Sequence, residues 1–381
     1  MNCEELYGII ERGEDYKNQF KLTFDRSEKL AVEIVAFLNS DGGNIIVGID
    51  DFGEIIGLND KQIREINQWI GNVSKNNIYP SISLKNEILN CDGKNILIIY
   101  VPKGDNKPYA FNQVDVWLKS GSDKRKATIE DIRRLLQESG RMYAEEEITE
   151  AEIDDIDIDY LKKWYVEYKN EELNGNIERV LNSFKLAKEN KLTLAGLLLF
   201  GKKPQEFKPQ FIIKAAYWKD DNHLTVLDKE IISGKLIEQF KNSISFIKRN
   251  LKKISDNPNL PSALELPIEA IEEIIANMIA HRDYFIDSSN FINMYDNRIE
   301  FISCGKLPNS LDVETIKEGI HRDRNPIILN FLEKDKEFKY SGMGRGIERI
   351  LHYCKKEGIK VEFINDKNKN LFKVILFRKE G

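Results

Sequence analysis

Glu273, Asn277 and His281 recur at intervals of four in EEIIANMIAHRDY. A helix would set all three on one face, while the positions between them are mostly Ile, Ala and Met. Polar heads on an otherwise apolar helix are unusual for plain packing. A carboxylate at 273 can orient or deprotonate a water. An Asn oxygen at 277 is the hard donor that Mg²⁺ takes beside phosphate oxygens. His281 taken alone is expected to be a hydrogen-bonded structural residue. Downstream, SGMGRGIERI puts Gly342, Gly344 and Gly346 at alternate positions ahead of a helical pattern. Such glycines let backbone N–H groups approach phosphates, and the helix start adds positive potential. The glycines do not directly follow a strand, so a dinucleotide fold is not expected.

A second candidate surface is basic. Lys119, Lys124, Arg125 and Lys126 cluster at a strand end and turn close to Trp117. They could meet phosphates, with the indole as a stacking surface. The structural alternative is a solvated turn beside a core tryptophan.

These residues need elements to hold them. The chain has 381 residues, enough for two or three domains, with 41% hydrophobic and 31% charged residues. Its net charge, 57 − 63 = −6, excludes a bulk polycation, so nucleic-acid contact would need a local patch. Cys3, Cys91, Cys304 and Cys354 form no CxxC pair, which predicts reduced thiols and no zinc site. The first residues are charged, and no apolar run could span a bilayer, so a cytoplasmic protein without membrane contact is expected.

Along the chain, SEKLAVEIVAFLNS predicts a helix with Leu30, Ile34, Phe37 and Leu38 buried. NIIVGID and EIIGL predict a hairpin around Asp51-Phe52-Gly53, and NILIIYVP and DVWLKSGS further strands. TIEDIRRLLQES predicts a helix capped by Thr128, with Asp131 at its third position. MYAEEEITEAEIDDIDIDY is expected to be an acidic, solvated linker leading into a second region. LAGLLLFG and FIIKAAYWK are expected to be a strand pair.

The E-x-x-x-N helix, HRDY, D-x-R-I-E-F-x-S, G-x-L-P and G-x-G-x-G-I together resemble the divergent GHKL ATPase module of RecG-like ATP-binding proteins and transcriptional regulators. The resemblance implies ATP and Mg²⁺ as cofactors, Glu273 as the water-activating base and Asn277 as the metal ligand. It places His281, Asp296, Ser303, Gly305 and Leu307 near the nucleotide, Gly342, Gly344 and Gly346 beneath the phosphates, and Arg282 and Arg324 as phosphate contacts. The superfamily's adenine-binding Asp has no counterpart in ISCGKLPNS.

GEDYKNQFKLTF, AEIVAFLNSDGGNIIVGIDDFGEIIGL and KPYAFNQVDVWLKSGSDKRKAT resemble the Schlafen AlbA-type domain. That resemblance implies nucleic acid, DNA or RNA, as partner, with Lys21, Lys119, Lys124, Arg125 and Lys126 as contacts. Nuclease members use a carboxylate triad, which matches Glu14, Gln19 and Asp50 or Asp51. Gln19 keeps an oxygen but removes a charge, which would weaken a divalent site at Glu14, Asp50 and Asp51.

The expected fold class is α+β: a Schlafen AlbA-like α/β domain over 1–142, a helical and strand middle region over 143–255, and a GHKL-like α/β sandwich of the Bergerat type over 256–381. The expected function is an ATP-binding regulator acting on nucleic acid, in transcriptional control or phage defence, with self-association at the family level. Two alternatives are a nucleotide-controlled, metal-dependent RNA endonuclease and a non-catalytic scaffold.

Overall fold

The computed structural model describes residues 1–173, 175–254, 263–308, 311–338, 340 and 344–378. The chain divides into two compact units between Met142 and Tyr143.

In the first unit, β1 (Asn18–Lys21), β2 (Gly43–Val47), β3 (Lys85–Cys91) and β4 (Lys94–Val101) form a sheet in the order β1-β2-β4-β3. β1 and β2 run parallel, and the other pairs are antiparallel. β2 reads as a continuous apolar run because both faces of the sheet are covered. Ile45 and Val47 face α2 (Ser27–Asn39) and α3 (Asp60–Asn76), packing with Leu30, Ile34, Phe37, Leu38 and Ile66. Ile46 points the other way and joins Leu6 of α1 (Cys3–Arg12) with Ile96 and Ile98. β5 (Trp117–Ser120) and β6 (Asp123–Lys126) make a separate hairpin, followed by α4 (Ile129–Glu138). Thr128 and Asp131 form the expected capping box at the start of α4.

Two local expectations fail here. EIIGL forms no strand beyond a single bridge between Ile49 and Ile55, because Asp50 closes the turn with its own side chain. Cys3 and Cys91 are joined in a disulfide, whereas four reduced thiols were expected. They lie 88 residues apart, and only the packing of α1 on β3 brings them together.

The second unit opens with β7 (Ile148–Glu152), α5 (Ile158–Lys169) and α6 (Leu194–Phe200). α6 is the LAGLLLF segment expected to be a strand. All seven of its residues are buried, so no alternation or helical stripe separates the two possibilities. Thr193 decides locally, its hydroxyl accepting from Gly196 N at 3.1 Å as an N-cap.

β8 (Ile213–Trp218), β9 (Val226–Ile232), α7 (Leu236–Asn250), α8 (Ile268–Ala280), β10 (Asn290–Met294) and β11 (Arg298–Cys304) follow. After them come α9 (Pro326–Leu332), α10 (Gly346–Lys356), β12 (Val361–Asp366) and β13 (Leu371–Phe377). Six strands form one sheet in the order β9-β8-β10-β11-β13-β12, with β8 and β10 parallel. α8 lies between α7 and α10 and also packs on β11. A single core runs from Ala144 to Leu376, so residues 143–255 share sheet and interior with the C-terminal residues. Among the described residues no helix is long and apolar enough to cross a membrane.

Candidate functional site: a buried cleft and a basic hairpin

α8 is buried along most of its length, and Glu273 is enclosed rather than solvated. Glu273 is 2% exposed. Glu273, Asn277 and His281 line one cleft together with Ser303, Gly305 and Arg324. One wall is apolar, with Phe301, Leu307, Phe372 and Val374 supplied by β11, the turn after it and β13.

Glu273 Oε2 faces Arg349 Nη1 of α10 at 3.1 Å. Its Oε1 is buried without a hydrogen-bond partner, and so is Asn277 Nδ2. Burial raises the Glu273 carboxyl above its ordinary value, while Arg349 and the Asn277 side chain pull it back. Burial without a partner on that scale is costly in a finished core. It is the state expected of groups that await a ligand.

Gly346 explains how α10 comes so close. A Cβ there would lie 2.5 Å from Glu273 Oε1 and 2.9 Å from Asn277 Nδ2. Gly344 has a φ of +69°, and a Cβ on it would meet His321 Nδ1 at 2.5 Å. Gly342 lies outside the described residues.

His281 Nε2 is 2.9 Å from Tyr340 Oη. Burial first, then Arg324 and His321, push its pKa down to about 4, so the ring is neutral at physiological pH. Ser303 Oγ sits 3.4 Å from Met278 O. Arg324 donates to Lys306 O at 2.8 Å and to His281 O at 3.4 Å, which ties the turn after β11 to the end of α8.

Two expected residues are not brought to the cleft. Asp296 lies in the β10–β11 turn, at the far end of β11 from Ser303, and accepts from Tyr217 Oη at 2.6 Å. Arg282 is buried, bonded to Ser288 O, with its guanidinium over Phe211 and Tyr284. Residues the spacing did not single out do line the cleft or pair into it: His321, Arg322, Tyr340 and Arg349. Only ERI at the start of α10, a basic residue one turn past the glycines, could have signalled Arg349.

In the first unit, Glu14 Oε1 accepts from Gln19 Nε2 at 2.5 Å and from Phe20 N at 2.7 Å. Gln19 Oε1 accepts from Lys119 Nζ at 2.6 Å. Lys119 also donates to Ser122 O and lies over the Phe37 ring. Burial lowers its pKa, against the attraction of Glu33 and Glu14. An ammonium therefore already sits among these carboxylates. Asp50 is engaged in its turn, accepting from Phe52 N and Glu54 N, and Asp51 is exposed beside it. Among the described residues no three His, Cys, Asp or Glu side chains group as a metal site. The residues of this corner do not fit a divalent ion as they stand.

The hairpin cations are paired. Lys124 meets the buried Glu33 at 2.5 Å, Arg125 meets Asp131, and Lys126 meets Asp115 at 2.9 Å. Lys126 also lies over Trp117.

Residues 14–128 match the family model described as "Schlafen, AlbA_2". Residues 287–376 match the model described as "Putative ATP-dependent DNA helicase recG C-terminal". The second match starts beyond α8, so it includes Ser303, Gly305, Arg324, Gly344 and Gly346 but not Glu273, Asn277 or His281. The chain matches none of the curated proteins. Among solved structures, the DIP2311 protein from Corynebacterium diphtheriae is 18% identical over 99% of this chain and 80% of that one, with a TM-score of 0.49. The N-terminal domain of a "Putative ATP-dependent DNA Helicase RecG-related Protein" from Nitrosomonas europaea is 21% identical over 34% of this chain and 95% of that one, with a TM-score of 0.26. The chain thus carries a Schlafen AlbA_2 module near its N-terminus and a RecG C-terminal ATPase-type module near its C-terminus, in a mixed α+β fold.

Proposed function

We propose that this protein binds ATP with Mg²⁺ in the α8–α10 cleft and acts on nucleic acid through its N-terminal module. The observation that carries it is that Glu273 and Asn277 line the cleft together, directly against Gly346 at the start of α10, with Glu273 Oε1 buried and lacking a well-formed hydrogen bond. The residues present suit the ligand. Asn277 would hold the metal by its amide oxygen. Glu273, with Arg349 beside it, would orient a water. Gly344, Gly346 and the first turn of α10 would bring N–H groups to the phosphates. The apolar wall would take the base, and no lining carboxylate other than Glu273 is present among the described residues to select adenine.

Nucleic-acid contact is assigned to Lys21 and the β5–β6 hairpin. The pairs Arg125–Asp131 and Lys126–Asp115 are substantially solvent-exposed on at least one side. Exposed pairs are weak, so a phosphate can displace the carboxylate. The biological role that fits is a nucleotide-responsive regulator, in transcriptional control or phage defence, in which ATP biases how the N-terminal module holds its target. Lys119 among Glu14, Gln19 and Glu33 weighs against the endonuclease alternative.

The deciding experiment is calorimetry with a non-hydrolysable ATP analogue and Mg²⁺ on the wild type and on Asn277→Ala. Heat for the wild type, lost in the variant, supports the proposal. Equal heats remove the metal role of Asn277, and no heat from either removes the nucleotide site.

A further inference from the structure

Glu145 falls in the acidic stretch expected to be solvated linker, yet it is 0% exposed. It sits in a single turn of 3-10 helix over Ala144–Glu146. Its two oxygens reach across 182 and 183 residues of chain. Oε1 accepts from Ile327 N and Oε2 from Ile328 N, each at 2.7 Å. These are first-turn amides of α9, which have no partner within their own helix.

The segment just before α9 belongs to the cleft, with His321, Arg322 and Arg324 in its lining. Asn325, also 0% exposed, links it to α8. Its Nδ2 donates to Ala280 O at 3.0 Å and to Arg282 O at 2.8 Å. The connection runs from Glu145 to the α9 amides, through Asn325 and Arg324, to the end of the helix that bears Glu273 and Asn277.

We propose that Glu145 is a positioning residue for the cleft: its carboxylate clamps the start of α9 and thereby fixes the 321–325 segment against the bound nucleotide. This rests on the nucleotide reading given above. A carboxylate serves both amides at once, whereas a protonated acid carries hydrogen on one oxygen and serves one amide well. Burial, against the pull of the two amides, raises Glu145 to about 7. The clamp is therefore half-set near neutral pH. The charged and titratable groups around Glu145 are Glu146, Lys185, Tyr143 and Tyr284. Glu146 and Lys185 pair with each other at 2.7 Å, and α6, which packs on this turn and on α9, brings no titratable side chain. Nucleotide should then bind the ionised form more tightly, and affinity should rise with pH through 7.

The test is calorimetry of full-length wild type and Glu145→Gln with the ATP analogue and Mg²⁺ at pH 6, 7 and 8. Gln keeps the shape, offers one acceptor and cannot ionise. Expected is a loss of about tenfold in affinity at pH 8, the size of one amide hydrogen bond, shrinking towards pH 6. The nucleotide's own phosphates titrate alike in both proteins and cancel in the comparison. Matching affinity and pH profile in the two proteins would overturn the role of Glu145 while leaving the nucleotide site standing. Absence of heat in the wild type would overturn both. If the variant does not fold, hydrogen exchange on the wild type decides. Nucleotide should slow exchange at Ile327 and Ile328 more at pH 8 than at pH 6, after correction for intrinsic rates, and equal protection would overturn the inference.

Discussion

Arg349 approaches Glu273 at 3.1 Å, although the arginine side chain is 40% exposed and the carboxylate only 2%. The cation thus reaches from the surface of α10 to a buried anion on α8. Its charge opposes the upward push that burial gives the Glu273 carboxyl.

Arg349→Met should therefore leave a buried carboxylate without its counter-charge. The carboxyl pKa, already raised by burial, should rise further. A group with a raised folded pKa loses stability as pH rises through that value, so the variant's deficit should be larger at pH 8 than at pH 5. The expected cost at pH 8 is about 1–3 kcal/mol, the range for a stranded buried polar group. Urea unfolding at the two pH values checks it, and a deficit independent of pH would show that Arg349 acts by packing alone.

Gly346→Ala should act at the same contact by steric means. The added Cβ falls 2.5 Å from Glu273 Oε1 and 2.9 Å from Asn277 Nδ2, so both side chains must be displaced. Overpacking of this kind costs about 1–3 kcal/mol. Nucleotide binding should weaken beyond that, because Asn277 must move too. Gly358→Ala is the control, a glycine with nothing within 4 Å of its added Cβ, where only its φ of +66° is strained. If both variants bind the ATP analogue as the wild type does, the close approach of α10 has no part in binding.

How far the site was legible follows from what kind of information placed each residue. Glu273, Asn277 and His281 share a face by helical spacing alone, and the structure puts all three in one cleft. Thr128 and Asp131 are a local pair three residues apart, readable without any tertiary contact. Leu194–Phe200 is apolar at every position, so its period carries nothing, and only the Thr193 cap separates helix from strand. Asp296 and Ser303 lie on one hairpin, but the length of β11 sends them to opposite ends of the sheet. Arg349, Glu145 and the Cys3–Cys91 link all depend on contacts between distant segments. No pattern of nearby residues encodes those, and composition misled at Glu145 because other acids of the same stretch, Glu147 and Glu150, are indeed exposed.

Lys119 should decide the metal behaviour of the N-terminal module. In the wild type its ammonium lies 2.6 Å from Gln19 Oε1, where a divalent ion would compete with a covalently tethered cation. Mn²⁺ titration followed by thermal shift of this unit should give no saturable response. Gln19→Glu with Lys119→Ala restores one carboxylate and removes the ammonium, and should produce such a response. Stoichiometric Mn²⁺ binding by the wild type would contradict the assignment and reopen the endonuclease alternative.

Glu145 gives a stability signature separate from its effect on nucleotide. Its folded pKa of about 7 stands above the ordinary 4.5, so between those values the folded state holds a proton that the unfolded state has released. Stability must then fall as pH rises across that window. A difference of roughly 2.5 units corresponds to about 3 kcal/mol at most, fully lost by pH 8. Glu145→Gln cannot titrate and should lack that share of the decline, whatever its stability at any single pH. Urea unfolding of wild type and variant at pH 5, 6, 7 and 8, without nucleotide, measures the difference in slope. Parallel curves would mean that Glu145 titrates alike in the folded and unfolded chains, so that its enclosure between the Ala144–Glu146 turn and α9 does not perturb it. Because the ionised form makes the better clamp but the less stable fold, the two measurements should trend in opposite directions with pH, a combination that a merely structural carboxylate would not produce.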